Sequence, residues 1–315
     1  AAVVALAVWV VSSCQGPTPS VTPPRPEPGN LPAAEPTFLA PPTPLPTFLP
    51  PASSEHPLVS YTPASPLQYQ VENILRHAPS GEWGVYIQNL QTGETVSIRG
   101  DVVFHPASTI KIAIALDLLA WLDKHPAIRP AVNGPPGQTY SFEQLLKAML
   151  VISDEDAAAT LTDFLSRQPG HRIEAQIHDW GAAQTSITPR RSTPADLALL
   201  MERLYRGELL SPENTQRLLE IMRTPTPSAQ HRIGGGLPES ARSKLAHKTG
   251  TLFQDGLGVV SDVGLVVTPQ GNAYVISVLS TRIAWVDYER AMGVISEISR
   301  AVFTAFDSGA KAAGD

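Results

Sequence analysis

Ser108 and Lys111 stand three residues apart in PASTIK, and Ser153-Asp154-Glu155 and Lys248-Thr249-Gly250 follow them in that order along the chain. Together these stretches supply the parts of a serine acyl-transfer site. A serine hydroxyl is a poor nucleophile near neutral pH and needs a neighbour that takes its proton. Residues i and i+3 of a helix share a face, so Ser108 is expected to present Oγ to the Lys111 amine. Lys111 accepts a proton only when neutral, which requires burial or a nearby cation, and Lys248 is the candidate cation. Spacing alone is weak: about one Ser-x-x-Lys is expected by chance in a chain this long, and Ser308-Gly-Ala-Lys311 and Ser261-Asp262 are decoys for the first two stretches. Context separates the first set. Pro106-Ala107, followed by apolar Ile110, Ile112, Ala113, Ile114 and Leu116, puts Ser108 at a helix N-terminus. There the helix dipole and free backbone N–H groups favour developing negative charge.

The elements that must position these residues follow from periodicity. SPLQYQVENILRHA reads as an opening helix with apolar Leu67, Val71, Ile74 and Leu75. Alternating runs at 84–88 and 94–98 flank Gln91-Thr-Gly93 and read as a hairpin. Helices are predicted from Thr109 to about Leu122, Ser141 to Val151, Asp156 to Leu165, Pro194 to Tyr205 and Pro212 to Met222. Strands return only at 258–267 and 273–279, beside a strand carrying Lys248, before a closing helix from about Asp287 to Phe306. Strands from both ends of the chain must therefore share one sheet. The expected fold is α+β: an antiparallel sheet flanked by N- and C-terminal helices, with an all-helical lobe inserted and a cleft where the two meet.

FHPASTIKIAIALDLL, LLKAMLVISDEDAA, STPADLALLMERL and AHKTGT resemble the corresponding segments of the β-lactamase and penicillin-binding protein superfamily, most closely its class A-like catalytic domain, from about residue 67 to 306. The resemblance implies that Ser108 is the acylated nucleophile, Lys111 a proton acceptor and Ser153 a proton shuttle to the leaving nitrogen. It implies that Lys248 and Thr249 clamp a substrate carboxylate, that Gly250 lets the edge strand approach the ligand, and that the backbone N–H groups of Ser108 and Thr251 form the oxyanion hole.

Two departures from the family pattern bear on chemistry. The second motif ends in Glu155 where the family carries asparagine, which adds Glu155 to the candidate substrate-binding residues. A carboxylate beside Lys111 favours the protonated amine. Class A enzymes also carry an omega loop with a glutamate and an asparagine that hold the deacylating water, whereas residues 181–194 contain no acidic residue. Glu174 and Asp179 precede that loop and belong to a helix and its end. Acylation is expected to survive these departures better than hydrolysis of the acyl-enzyme.

Other candidates carry less. His105 and His247 flank the motifs without a visible orienting acid and read as structural. No histidine spacing suggests a metal, and the chemistry requires neither metal nor cofactor. Gly234-Gly-Gly236 reads as a flexible loop. Arg282, just past a late strand, is a further candidate for a substrate carboxylate, against the plainer reading of a solvated charge.

The chain has 315 residues, 43% of them hydrophobic, and a net charge of −6 without a basic run, which argues against nucleic acid as partner. Cys14 is the single cysteine, so internal disulfides are excluded. It follows the apolar run AAVVALAVWVV, as at the end of a bacterial lipoprotein signal, and the expectation is a lipidated Cys14 with the sequence beginning inside the signal. The alternative is a signal-anchor helix with an incidental thiol. Between Gln15 and Pro66 lie 17 of the 31 prolines, a composition suited to an extended tether and not to a core. The expected organisation is signal 1–14, tether 15–66, catalytic domain 67–308 and tail 309–315, as a monomer held outside the cytoplasm on the bacterial membrane. Three readings stay open: a serine hydrolase acylated at Ser108 by β-lactams or related amides, a peptidoglycan D,D-peptidase or esterase with slow deacylation, and a non-catalytic binder of cell-wall peptides.

Overall fold

The computed structural model describes residues 65–127, 131–133, 139–224 and 230–308. Cys14, the signal, all but the end of the tether, the tail and Lys311 of the decoy motif lie outside the described residues.

Helix α1 (Pro66–Arg76) is capped by the Ser65 hydroxyl and leads into β1 (Glu82–Asn89) and β2 (Thr95–Ile98). A 3₁₀ turn at Ala107–Ile110 opens α2 (Lys111–Lys124), and β3 (Ala131–Asn133) pairs with β4 (Thr139–Ser141). The inserted lobe continues with α3 (Phe142–Val151), α4 (Glu155–Ser166), α5 (Ile173–Asp179), α6 (Pro194–Tyr205) and α7 (Pro212–Met222). Two short helices, α8 (Ile233–Gly236) and α9 (Glu239–Arg242), precede β5 (Ala246–Gln254), β6 (Leu257–Val267), β7 (Ala273–Thr281) and β8 (Ile283–Ala284), and α10 (Tyr288–Ser308) closes the domain.

The sheet runs β2-β1-β7-β6-β5, with β8 on β6, and every pairing is antiparallel. Its two faces bury different cores because side chains of a strand alternate. Ala273, Val275 and Leu279 of β7 join the core of the helical lobe, while Tyr274, Ile276 and Val278 join the core under α1 and α10. Helix α2 is buried on all sides from Lys111 to Trp121, as expected of a central helix in a lobe. That burial fixes the first turn of α2, and with it Ser108.

Two expectations are corrected. The helix begins as a tight 3₁₀ turn and becomes α-helical only at Lys111. Residues 234–236 are not a flexible loop but helix α8, packed on α10. A side chain at Gly236 would run into the Ser296 carbonyl oxygen, so the glycines permit a close helix approach. The sequence also gave no sign of the small β3–β4 pair or of α9.

Candidate active site

In a 3₁₀ turn the residues i and i+3 eclipse, so the turn at Ala107–Ile110 brings Ser108 over Lys111. The two side chains do not meet directly. Ser108 Oγ donates to Glu155 Oε1 at 3.2 Å, and Lys111 Nζ donates to the same oxygen at 2.7 Å. Glu155 is the first residue of α4, where the helix N-terminus favours a carboxylate. Its predecessor Asp154 caps that helix by accepting the Ala157 N–H at 2.7 Å. The Ser-Asp-Glu stretch thus divides into a cap and two groups turned to the site.

Ser153 is the third point of convergence. Its backbone is left-handed, with φ 61°, which costs a non-glycine residue roughly 1 kcal/mol or more. In this conformation its carbonyl accepts from Lys111 Nζ at 2.7 Å. Its Oγ lies 3.4 Å from Lys111 Nζ and 3.0 Å from Lys248 Nζ, between the two lysine amines. Ala107, immediately before Ser108, is also left-handed at φ 49°. One strained residue therefore precedes Ser108, and the other is Ser153 itself.

Strand β5 brings Lys248 in along the sheet edge. Gly250 lies so close to the serine turn that an added Cβ would stand 2.7 Å from the Pro106 carbonyl oxygen. The glycine admits the turn itself, a closer constraint than room for a ligand. Successive residues of β5 reach opposite faces: Lys248 and Gly250 face the serine turn, while His247 pairs with Asp262 and Thr251 meets Arg232. His105 Nδ1 accepts from the Ala107 N–H at 3.1 Å, so the hydrogen bonds of both histidines lead away from Ser108. Arg282 is exposed in the turn after β7, also left-handed at φ 61°.

The electrostatics follow from burial. Lys111 is fully buried, and that burial pushes its ammonium below the usual lysine value against the pull of Glu155, with Arg190 adding to the depression. Lys248 falls to about 7, through burial first and then the positive charge of Lys111. Both lysines are thus depressed, each through its own burial first, and the cation beside Lys111 that the sequence did not suggest is Arg190. Burial alone would raise Glu155, but its bonds to Arg190 and Lys111 outweigh that and hold it at about 2.

Two arginines escaped the sequence reading. Arg190 Nη2 donates to Glu155 Oε2 at 2.7 Å from the loop after α5. The signal for it was present, since Arg190 and Arg191 are the only charged residues at 181–194. Arg232 is buried behind β5 and donates to the carbonyls of Gly250 at 3.1 Å and Ser261 at 2.8 Å, and to Thr251 Oγ1 at 2.5 Å. An arginine before three glycines gave no hint of this. Among the described residues, no group of three or more His, Cys, Asp or Glu is placed to hold a metal ion.

Comparison with known proteins finds relatives both in sequence and in fold. The β-lactamase VEB-1 of Pseudomonas aeruginosa is 28% identical over 250 residues, 67% of this chain and 81% of that protein. A D-alanyl-D-alanine carboxypeptidase, DacB2 of Mycobacterium tuberculosis, is 32% identical over 132 residues, 38% of this chain and 43% of that protein. Among solved structures, PBP-A matches with a TM-score of 0.68 at 29% identity, covering 78% of this chain and 97% of that one. A PBP-A mutant solved as an acyl-enzyme complex with penicillin G matches with a TM-score of 0.67, also at 29% identity, over 77% and 96% of the two chains. The TLA-3 extended-spectrum β-lactamase shares the fold, with a TM-score of 0.68 at 20% identity over 76% of this chain and 98% of that one. The sequence profile of the beta-lactamase enzyme family matches residues 66–306, and the chain belongs to that family.

Proposed function

We propose that this protein is a serine hydrolase acylated at Ser108 by β-lactams or related amides, with an acyl-enzyme that hydrolyses slowly. The observation that carries the reading is the convergence on Ser108 and Ser153 of one carboxylate and two buried lysine amines with depressed proton affinity. Substrate binds with its carboxylate at Lys248 and Thr249, on the edge that Arg232 makes more positive from behind. The carbonyl oxygen lies in a hole formed by the N–H groups of Ser108 and Thr251.

With Lys111 in its neutral form, Oγ attacks as its proton passes to Glu155 Oε1 and on to the Lys111 amine, 2.7 Å away. Ser153 gives its hydroxyl proton to the leaving nitrogen and is refilled from a neighbouring ammonium. The C–N bond breaks and the Oγ–C ester forms. One proton leaves Ser108 and one reaches nitrogen, so the exchange is balanced.

Mass spectrometry after exposure to penicillins and cephalosporins tests this reading. A covalent adduct on Ser108 is expected, and its absence across the panel would sink the proposal. A second reading, a D,D-peptidase of cell-wall peptides, is favoured by the loop at 181–194, which offers no carboxylate for water. It predicts release of terminal D-alanine from a muropeptide mimic and a persistent penicilloyl adduct; rapid β-lactam turnover without peptide cleavage counts against it. Lipid attachment at Cys14, with the domain held outside the membrane as a monomer, belongs to the same proposal and rests on the sequence. Loss of membrane association on Cys14→Ser is the expected result.

A further inference from the structure

The two oxygens of Glu155 have separate partners. Oε1 receives Ser108 Oγ and Lys111 Nζ, and Oε2 receives Arg190, its one partner among the described residues. Arg190 is delivered by a turn that is itself well tied. Ser186 and Arg191 exchange backbone hydrogen bonds at 2.9 and 3.0 Å across it, and the Ile187 N–H reaches Glu174 Oε1 at 3.3 Å. Ser192, next along, exchanges backbone bonds of 2.8 and 3.1 Å with Phe104, in the segment that leads to Ser108. The loop and the serine turn are therefore anchored to one another, and the guanidinium arrives at Glu155 from a fixed base.

We propose that Arg190 is a positioning residue: by clamping Oε2 it holds the Glu155 carboxylate with Oε1 aimed at Ser108 and Lys111. The proposal rests on the reading of Ser108 as the acylated residue. Lys111 and Lys248 face the same carboxylate from α2 and β5, Asp154 and Asp156 flank it on its own segment, and His105 faces the guanidinium. Among these groups Arg190 acts in two directions at once. It lowers Glu155 and it lowers Lys111, so one cation keeps the acceptor oxygen charged and moves the amine toward its neutral form. A loop that carries no acid thus serves acylation through its base.

Arg190→Gln and Arg190→Lys test the assignment with two measurements on the full chain. One is the carboxyl titration of Glu155 followed by ¹³C NMR, which needs no substrate. The other is the pH dependence of Ser108 acylation by a chromogenic cephalosporin. In Arg190→Gln the Glu155 midpoint is expected to rise by a pH unit or more, about a tenfold loss of the ionised form below the new midpoint. The acid limb of acylation is expected to move with it, and Arg190→Lys should restore most of both. An unmoved midpoint, or a rate that falls equally at every pH, overturns the proposal. Should the wild-type protein form no adduct at all, the hydrolase reading fails, and the Glu155 midpoint alone decides whether Arg190 holds the carboxylate ionised.

Discussion

On the serine side of β5, polar side chains bond mainly to one another: Ser108 and Lys111 to Glu155, and Lys248 to Ser153. On the opposite side, Arg232 divides its bonds between the backbone carbonyls of Gly250 and Ser261 and the hydroxyls of Thr251 and Tyr288, while Asp262 accepts the Ile233 N–H and stands 2.9 Å from His247 Nδ1. Both clusters are dense, but they end differently. Bonds to the backbone tie strands and helices together, whereas bonds among mobile protons leave groups able to exchange them. The same strand therefore separates a reactive cluster from a structural one, and substitutions on its two sides should fail in different ways.

Ser108→Ala is expected to have the largest effect: acylation falls by at least about 10⁴-fold, while the unfolding free energy changes by less than about 1 kcal/mol. Adduct mass spectrometry and urea unfolding on the same sample read both. Asp262→Ala should do the reverse. It leaves the buried His247 ring and the Ile233 N–H without a partner and should cost about 3 kcal/mol of stability, seen as a lower urea midpoint. A loss of acylation from Asp262→Ala without a loss of stability would break the contrast. Gly250→Ala probes the boundary, because its methyl group would push on Pro106 beneath Ser108. A displacement of that kind should slow acylation about 10- to 100-fold, with only a modest change in unfolding.

The smallest expected effect is a pH dependence. Lys248 is an ammonium below about 7 and loses its charge above it. Capture of a substrate carboxylate should weaken as pH rises through that value, with KM for a penicillin increasing about three- to tenfold over one unit and Lys248→Arg abolishing the rise. Between about 7 and the ordinary lysine value of 10.5, the folded chain binds fewer protons at Lys248 than the unfolded chain does. The contribution of Lys248 to stability therefore grows with pH across that window, opposite in trend to the substrate capture measured by KM.

Periodicity and local caps made most of the architecture legible. Ser65, Ser141, Thr193 and Ser211 cap helices whose apolar spacing was already visible. The strand read at 273–279 is β7, and its near-continuous apolar run matches burial on both faces. What the sequence hid were contacts made over distance by unremarkable residues. Glu155 could be seen to be unusual, but its partner stands 35 residues away in a loop read for its missing acids. Arg232 lay in a segment whose glycines suggested freedom, because close packing and flexibility ask for the same residue type. The depression of Lys111 and Lys248 depends first on their burial, which spacing does not encode.

Strands β1 and β7 are neighbours in the sheet although Glu82 pairs with Thr281 and Asn89 with Tyr274, nearly two hundred residues further along. A ribosome adding about 5 to 20 residues per second leaves the β1–β2 hairpin waiting on the order of 10 to 40 s for its partner. Throughout that interval Val85 and Ile87, fully buried in the finished domain, lie on an open edge of bare N–H and C=O groups. The helical lobe is made of local contacts and can form meanwhile, but the site cannot, because Lys248 belongs to the late strands. The protein is thus born in the order scaffold-edge, lobe, sheet, and its nascent chain is most vulnerable to aggregation just before it becomes chemically competent.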